Sequence, residues 1–478
     1  MRERDNVLLI TTDQQRFDTI QALGNGTIFT PHLNYMISEG IAYTRCYADC
    51  PVCVPSRTTL MTGLRGYESG ILANQSHTGL MSERTAARKT LPALLTDAGY
   101  QTRAVGKMHF EPARAHYGFE SMELPLDYMR LHDKNRREVS PKRHGLGECP
   151  LDPVVSTVSA KDSITAWTME RTLDFLETRD PLRPFFLWTS FTKPHPPMDP
   201  PMDYWMLYDT DAMPDPIYGD WSQTLSETPQ GFLAGSYVNT DVHLHSPRQM
   251  RAVKRAYYAL ITQVDYALGL LFGCMREQKL FQNTWIVFTS DHGEMLGDHH
   301  LSQKNLFFEG AAHVPLIVVP PKKYDMPRNR RVDTLAELAD LFPTLLHMAG
   351  VPCPEEAKGI NLLELRGEDR PFYGNTLDSQ LCVMLGGLKL VYSRLGGHYL
   401  LFNLRDDPME QRDLYRLPEW QEAAKALRQE LLDFVARTAP HLLADGDFIV
   451  LPEPAFPGDV PGRWLGFHYK DYSIDTFH

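Results

Sequence analysis

Short apolar runs closed by polar residues recur along the chain, and stretches with helical spacing lie between them. Residues 6–11 (Asn-Val-Leu-Leu-Ile-Thr), 101–105, 185–190, 284–289 and 313–320 are runs rich in β-forming residues. Runs without alternation are expected of strands buried on both faces of a sheet. Residues 30–40, 90–99, 159–177, 249–277 and 333–350 instead carry helical patterns, and Gly99 is placed to end the second. This alternation of strands and helices predicts an α/β main domain over 1–369. From Pro371 the texture changes. Residues 388–392 and 399–404 read as short strands around a Gly396-Gly397 turn, and 420–437 as a helix. They predict a small C-terminal sheet-plus-helix subdomain with a tail, 370–478. Residues 198–247 are irregular, aromatic and Pro-rich, as expected of pocket-lining loops. Residues 440–478 have no strong period, and two placements stay open for them: around the body, or against a second subunit of a homo-oligomer.

Composition narrows the function classes. At 478 residues the chain is long for one core, so two domains or one with an appendage is expected. A net charge of −12 argues against a general nucleic-acid binder. Seven widely spread cysteines do not form a disulfide framework pattern, and no second Cys/His pair follows Cys46, Cys50 and Cys53 at zinc spacing. The N-terminus shows no cleavable signal pattern, and no apolar run reads as a membrane span. The expected location is cytoplasmic, or periplasmic if a signal segment has been removed. Residues 128–150 read as a loop in which Arg130, Lys134, Arg136, Arg137, Lys142 and Arg143 outnumber Asp133 and Glu138. It is either a solvated loop or an insertion at a pocket mouth that draws anionic substrates.

The candidate chemistry clusters where the apolar runs end. In open α/β sheets, sites form at the carboxyl ends of strands. Asp13-Gln14 follows the first run, placing Asp13 either to bind a cation or to cap a helix. Lys107 and His109 follow the second, Lys193-Pro-His195 the third, and Asp291-His292 the fourth, where an Asp beside a His can form the second half of a cation site. Cys53 precedes a helical stretch with Arg57 about one turn later. A helix N-terminus and a guanidinium together suit a tetrahedral anion.

Cys53-Val54-Pro55-Ser56-Arg57 matches the Cys-x-Pro-Ser-Arg signature of type I sulfatases. Gly106-Lys107-Met108-His109 resembles that family's Gly-Lys-x-His motif, and Lys304 to Glu309-Gly310 its Lys-x(4)-Glu-Gly phrase. Asp13-Gln14 resembles the family's Asp-Gln form of a metal-binding pair. The resemblance runs over roughly residues 6–436. It implies an alkaline-phosphatase-like fold, a mainly parallel sheet between helix layers, and oxidation of Cys53 to formylglycine by a formylglycine-generating enzyme. It further implies a cation held by Asp13, Gln14, Asp291, His292 and the group made from Cys53. Ca²⁺ is the usual ion, and the imidazole of His292 also admits Mn²⁺. Arg57, Lys107 and Lys304 would supply positive charge, His195 a proton to the leaving alcohol, and His109 a base. Lys193 and Arg57 would contact substrate. The implied partner is a small-molecule or glycan sulfate ester, with a carbohydrate sulfate favoured over an aryl one, and with neither nucleic acid nor membrane involved. Two rivals stay open: a phosphonate monoester or phosphodiester hydrolase of the same superfamily, and an unmodified relative that only binds anions.

Overall fold

The structure is a computed structural model describing residues 4–74, 88–135, 151–236, 245–365, 367 and 370–454. The first apolar run is strand β1, Asn6–Asp13, and every residue in it is buried. Val7 and Leu9 join one core with Leu60, Met61, Leu341 and Phe342, while Leu8 and Ile10 join another with Leu33, Met36, Val264 and Leu268. Successive side chains thus meet helices on opposite faces, so both parities of the strand are apolar.

The remaining strands of the sheet are β2 (Ile41–Tyr47), β3 (Gln101–Gly106), β4 (Ser121–Glu123), β5 (Phe185–Pro194), β6 (Thr284–Ser290), β7 (His313–Val319), β8 (Arg330–Val332) and β9 (Ala336–Glu337). Their order is β4-β3-β5-β1-β6-β7-β2-β8, with β9 also on β2. Strand β7 runs antiparallel to β6 and β2, and the other pairings are parallel. The carboxyl ends of β1, β2, β3, β5 and β6 therefore share one edge. This is the mainly parallel, helix-flanked sheet that the resemblance implied.

The main helices are α1 (Pro31–Glu39), α2 (Cys53–Thr62), α3 (Leu91–Asp97), α4 (Pro125–Asn135), α5 (Ile164–Thr178), α6 (Pro247–Glu277) and α7 (Leu341–Met348). Helices α2, α3 and α7 cover one face, and α1, α5 and α6 the other. Their starts follow local chemistry. Thr90 and Ser163 cap α3 and α5 through their hydroxyls, and Ser246 with Gln249 forms a capping box on α6. Helix α1 is capped from across the fold, where the Asp265 carboxylate accepts from His32 N at 3.1 Å and Leu33 N at 2.7 Å. Helix α2 ends at Gly63 with φ +67°, where a Cβ would lie 2.8 Å from the Phe342 ring.

Three expectations change. The span 333–350 is not one helix: β9 and a 3-10 turn, Leu338–Asp340, precede α7. The carboxylates explain the break, because Asp340 accepts from Glu337 N at 2.8 Å and pairs with Arg370, while Glu337 pairs with Arg65. The expected loop from Tyr128 onward is helical to Asn135, with Tyr128 buried, and 136–150 lie outside the described residues. Helix α6 is long and apolar enough to cross a membrane, contrary to the reading of the sequence, but most of its apolar surface lies inside the fold.

The C-terminal strands β10 (Phe372–Thr376), β11 (Gln380–Leu385), β12 (Leu388–Ser393) and β13 (His398–Asn403) form an antiparallel sheet in that order. Alternation is clean here. Leu381 and Val383 face helix α8 (Gln421–Thr438), whereas Cys382 and Met384 face Leu301, Leu306, Phe307 and Phe308. At Gly374 a Cβ would sit 2.2 Å from the Phe307 ring, so the sheet presses directly on the 301–308 segment.

Candidate active site

Five strand ends and one loop bring Asp13, Gln14, Cys53, Arg57, Lys107, His195, Asp291, His292 and Lys304 to a single place. Strand β1 ends in Asp13 and is followed by Gln14, whose backbone is left-handed at φ 72°. That turn is held by two bonds: Gln14 N donates to Asp291 Oδ1 at 3.1 Å, and its carbonyl accepts from the Tyr257 hydroxyl. Strand β2 leads to Cys53, the first residue of α2. Asn74 Oδ1 accepts from Val54 N at 3.0 Å and satisfies one of the free amides of that helix start. Strand β6 presents Asp291 and His292, and the loop under the C-terminal sheet brings in Lys304.

Ligand atoms of Asp13, Cys53, Asp291 and His292 all lie within 4.8 Å of one another, and all four residues are buried. His292 Nε2 stands 3.2 Å from Cys53 Sγ, 3.9 Å from Asp13 Oδ1 and 3.7 Å from Asp291 Oδ1. The other ring nitrogen, Nδ1, is 2.9 Å from the Gly293 carbonyl, which orients Nε2 into the cluster. Two buried carboxylates facing one small volume repel each other, and their titration divides accordingly. Burial alone would raise Asp13, but Lys107, His195, Lys304 and Arg57 outweigh it and hold that carboxyl well below the usual range. Burial and then Asp13 push Asp291 up, against His292 and Arg57. This donor set of two carboxylates and an imidazole, strained in its own charge, fits a divalent cation.

Positive groups surround the cluster. Lys107 Nζ lies 2.6 Å from Asp13 Oδ2, and Lys304 Nζ lies 2.8 Å from Gln14 Oε1 and 3.2 Å from Cys53 Sγ. Burial and Asp13 act to raise the Cys53 thiol, but Lys304, Lys107 and His292 prevail and hold it well below its ordinary value. The position of Cys53 is thus built for negative charge. His195, partly exposed at the end of β5, is held well below the usual histidine range by burial and by the ammonium groups of Lys107 and Lys304. His109 sits in left-handed backbone, φ 57°, and its Nδ1 is buried with no hydrogen-bond partner among the described residues.

Two expected substrate contacts look different in the structure. Arg57 is fully buried, and its guanidinium is committed to Asp13 Oδ2 at 3.2 Å, Asp291 Oδ2 at 2.9 Å, Ser190 Oγ at 2.9 Å and the Lys107 carbonyl. It holds the two carboxylates. Lys193 donates to the Pro197 carbonyl at 2.7 Å and pairs with Asp199, so its ammonium braces the loop carrying His195. Sequence reasoning passed over Glu294, which is fully buried beside Gln14 and the base of Lys304. The signal was present, an acidic residue three positions after Asp291, but nothing in the pattern said where it points.

Comparison with known proteins places the chain in a family. A family model described as Sulfatase matches residues 5–351. An arylsulfatase of Clostridium perfringens is 30% identical over 468 residues, covering 90% of this chain and 94% of that protein. Among solved structures, the phosphonate monoester hydrolase of Agrobacterium radiobacter superposes with a TM-score of 0.77 at 23% identity, covering 93% of this chain and 99% of its own. A protein solved with its substrate D-glucosamine-2-N,6-O-disulfate superposes with a TM-score of 0.73 at 20% identity, covering 92% and 99%. The two structures share the fold. With the family model spanning most of the sequence and a relative matched along nearly its whole length, the chain belongs to the sulfatase family of the alkaline phosphatase superfamily, hydrolases of sulfuric esters.

Proposed function

We propose that the protein hydrolyses a sulfate monoester, of a carbohydrate or another small alcohol, through a formylglycine made from Cys53 by a formylglycine-generating enzyme. The supporting observation is the surroundings of Cys53. Its Sγ lies 3.2 Å from both His292 Nε2 and Lys304 Nζ, at the head of α2 and inside the buried donor cluster. A group in that position can meet a cation and a tetrahedral anion together. Asp13, Gln14, Asp291 and His292 would hold the cation; carboxylate and amide oxygens suit Ca²⁺, and the imidazole nitrogen admits Mn²⁺.

When present, the cation would offset charge on a sulfuryl oxygen, and the hydrated aldehyde would supply one hydroxyl to attack sulfur and a second to expel sulfate. The chain's own residues do the rest. Lys107 and Lys304 place fixed positive charge where negative charge develops. Arg57 keeps both carboxylates in register. Burial and two ammonium groups oppose protonation of His195 in the absence of substrate. A bound sulfate ester adds the negative charge that reverses this balance, so His195 takes up a proton on substrate binding and gives it to the departing alkoxide. His109 accepts the proton released when sulfate leaves.

A phosphonate monoester or phosphodiester is the second reading. The fold is shared with a phosphonate monoester hydrolase, and both ester classes present a tetrahedral anion to the same donor cluster. One experiment separates the two: rates on an aryl sulfate and an aryl phosphonate monoester, using enzyme co-expressed with a formylglycine-generating system and Cys53→Ala as the blank. Faster sulfate turnover that vanishes in Cys53→Ala is the expected result. Faster phosphonate turnover moves the protein to the second reading. A Cys53→Ala variant with unchanged turnover overturns the formylglycine chemistry altogether.

A further inference from the structure

Gln14 differs from its neighbours in the cluster in one elementary respect. A carboxylate presents two equivalent oxygens, so either face of Asp13 or Asp291 can meet a cation. A primary amide presents an oxygen or a nitrogen, and only the oxygen can bind a cation. Something has to decide which end of Gln14 faces the pocket.

Glu294 is placed to make that decision. Its carboxyl group is fully buried and accepts three hydrogen bonds: Oε1 takes Leu296 N at 3.0 Å and Gln303 N, and Oε2 takes Gln14 Nε2. Gln303 Oε1, a second acceptor, stands 3.4 Å from the same Nε2. At the other end of the amide, Lys304 Nζ, which can only donate, lies 2.8 Å from Gln14 Oε1. An acceptor on one side and a donor on the other leave the amide a single orientation, nitrogen towards Glu294 and oxygen towards Lys304, whose Nζ in turn lies 3.2 Å from Cys53 Sγ in the cluster. The same carboxylate holds Gln303 N, one residue before Lys304, and so fixes the root of the lysine that reaches Cys53 Sγ at 3.2 Å.

We infer that Glu294 is a positioning residue that locks the Gln14 amide with its oxygen towards the cation and anchors the backbone from which Lys304 extends. The inference rests on the cation site proposed above. It makes an unusual demand on substitutions. In Glu294→Gln the amide oxygen can still accept from Leu296 N and Gln303 N, but its NH₂ then faces the NH₂ of Gln14. Gln14 must turn over, presenting nitrogen to Lys304 and to the cation. In the exchanged pair Gln14→Glu with Glu294→Gln, the new amide donates to one oxygen of the new carboxylate, and the other oxygen faces Lys304. The donor–acceptor pattern is restored with the charge moved by one side chain.

The test is Ca²⁺ and Mn²⁺ binding by titration calorimetry on the full-length protein, with thermal unfolding of the chelated forms as a check on folding. Glu294→Gln is expected to weaken the cation Kd by about 10–100-fold, as loss of an outer partner of a metal ligand typically does. The exchanged pair is expected to recover the wild-type Kd or bind tighter. A folded Glu294→Gln protein with the wild-type Kd overturns the inference, and so does a folded exchanged pair that binds as weakly as the single variant. If Glu294→Gln is too unstable to titrate, the exchanged pair decides alone. Wild-type binding itself tests the cation site, and wild-type turnover of sulfate tests the activity, so each can fail separately from the ratio between variants.

Discussion

Lys193 shows how far a residue type alone can be read. Its place at the end of β5 suggested a substrate contact, yet its ammonium is pinned to Asp199 and the Pro197 carbonyl, and only 7% of the residue is exposed. A brace and a substrate contact make different predictions. If the pair braces the His195 loop, Lys193→Met and Asp199→Asn each lower unfolding stability in urea, and the double variant loses less than their sum, with a coupling of about 1–2 kcal/mol. A substrate contact would instead raise KM in Lys193→Met and leave Asp199→Asn unaffected. At this scale, residue types at strand ends were legible: Asp13, Cys53, Asp291, His292 and Lys304 do converge, because a buried strand leaves its first polar residues at the sheet edge. Side-chain direction was not legible. Arg57 and Lys193 are consumed by internal acceptors, and Glu294 went unnoticed, because hydrogen-bond partners distant in sequence leave no local pattern.

Among elements, a contact with a titrating centre lies between the C-terminal sheet and residues 301–309. Its centre is Lys389 of β12, fully buried and 2.8 Å from both Glu309 Oε1 and Glu410 Oε1. His313 Nδ1 stands 2.7 Å from Glu309 Oε2, and Glu309 N donates to Glu410 Oε2 at 2.7 Å. One ammonium cannot fully compensate two buried carboxylates. Burial pushes Glu410 up to about 7 despite Lys389, with Glu309 adding to the rise, whereas Lys389 and His313 outweigh burial at Glu309 and lower it to about 2. The sign for Glu410 follows from linkage. Its folded value exceeds its unfolded one, so its contribution is fully present below pH 4.5 and is lost as pH rises through about 7. Glu410→Gln carries no proton to lose. Relative to wild type, the variant should therefore gain stability between pH 4.5 and 8, by up to a few kcal/mol, on top of whatever constant offset the amide introduces. Urea unfolding of both proteins at those two pH values measures the difference. An equal difference at both would mean that Glu410 is ionised throughout.

In the whole molecule, the main sheet was readable because its central strands are buried on both faces, whereas helices such as α1, α5 and α6 keep an exposed side. The small sheet was readable because it alternates. The break at 336–340 was hidden, because the pull of Arg65 and Arg370 on Glu337 and Asp340 comes from segments far away in sequence. The same long-range electrostatics tie the stability of the entire chain to the proposed cation site. Asp291 is pushed up by burial and by Asp13, so its charge weakens the fold whenever the cluster is left to itself. A ligand that binds only the folded state stabilises by RT ln(1 + [L]/Kd), about 2.7 kcal/mol at a hundred times Kd. For a chain of this length that corresponds to roughly 2–3 °C in Tm. Wild-type protein should therefore gain that much on moving from chelator to saturating Ca²⁺. Asp291→Asn should behave in the opposite way. With chelator at pH 8 it should melt at or above the wild-type temperature, because a buried charge has been removed. With Ca²⁺ it should melt below wild type, because the ion no longer finds its second carboxylate. Crossed melting curves of this kind would show that the two aspartates are held together for an ion and not for the fold. A variant less stable than wild type in both conditions would assign Asp291 a structural role through Arg57 instead.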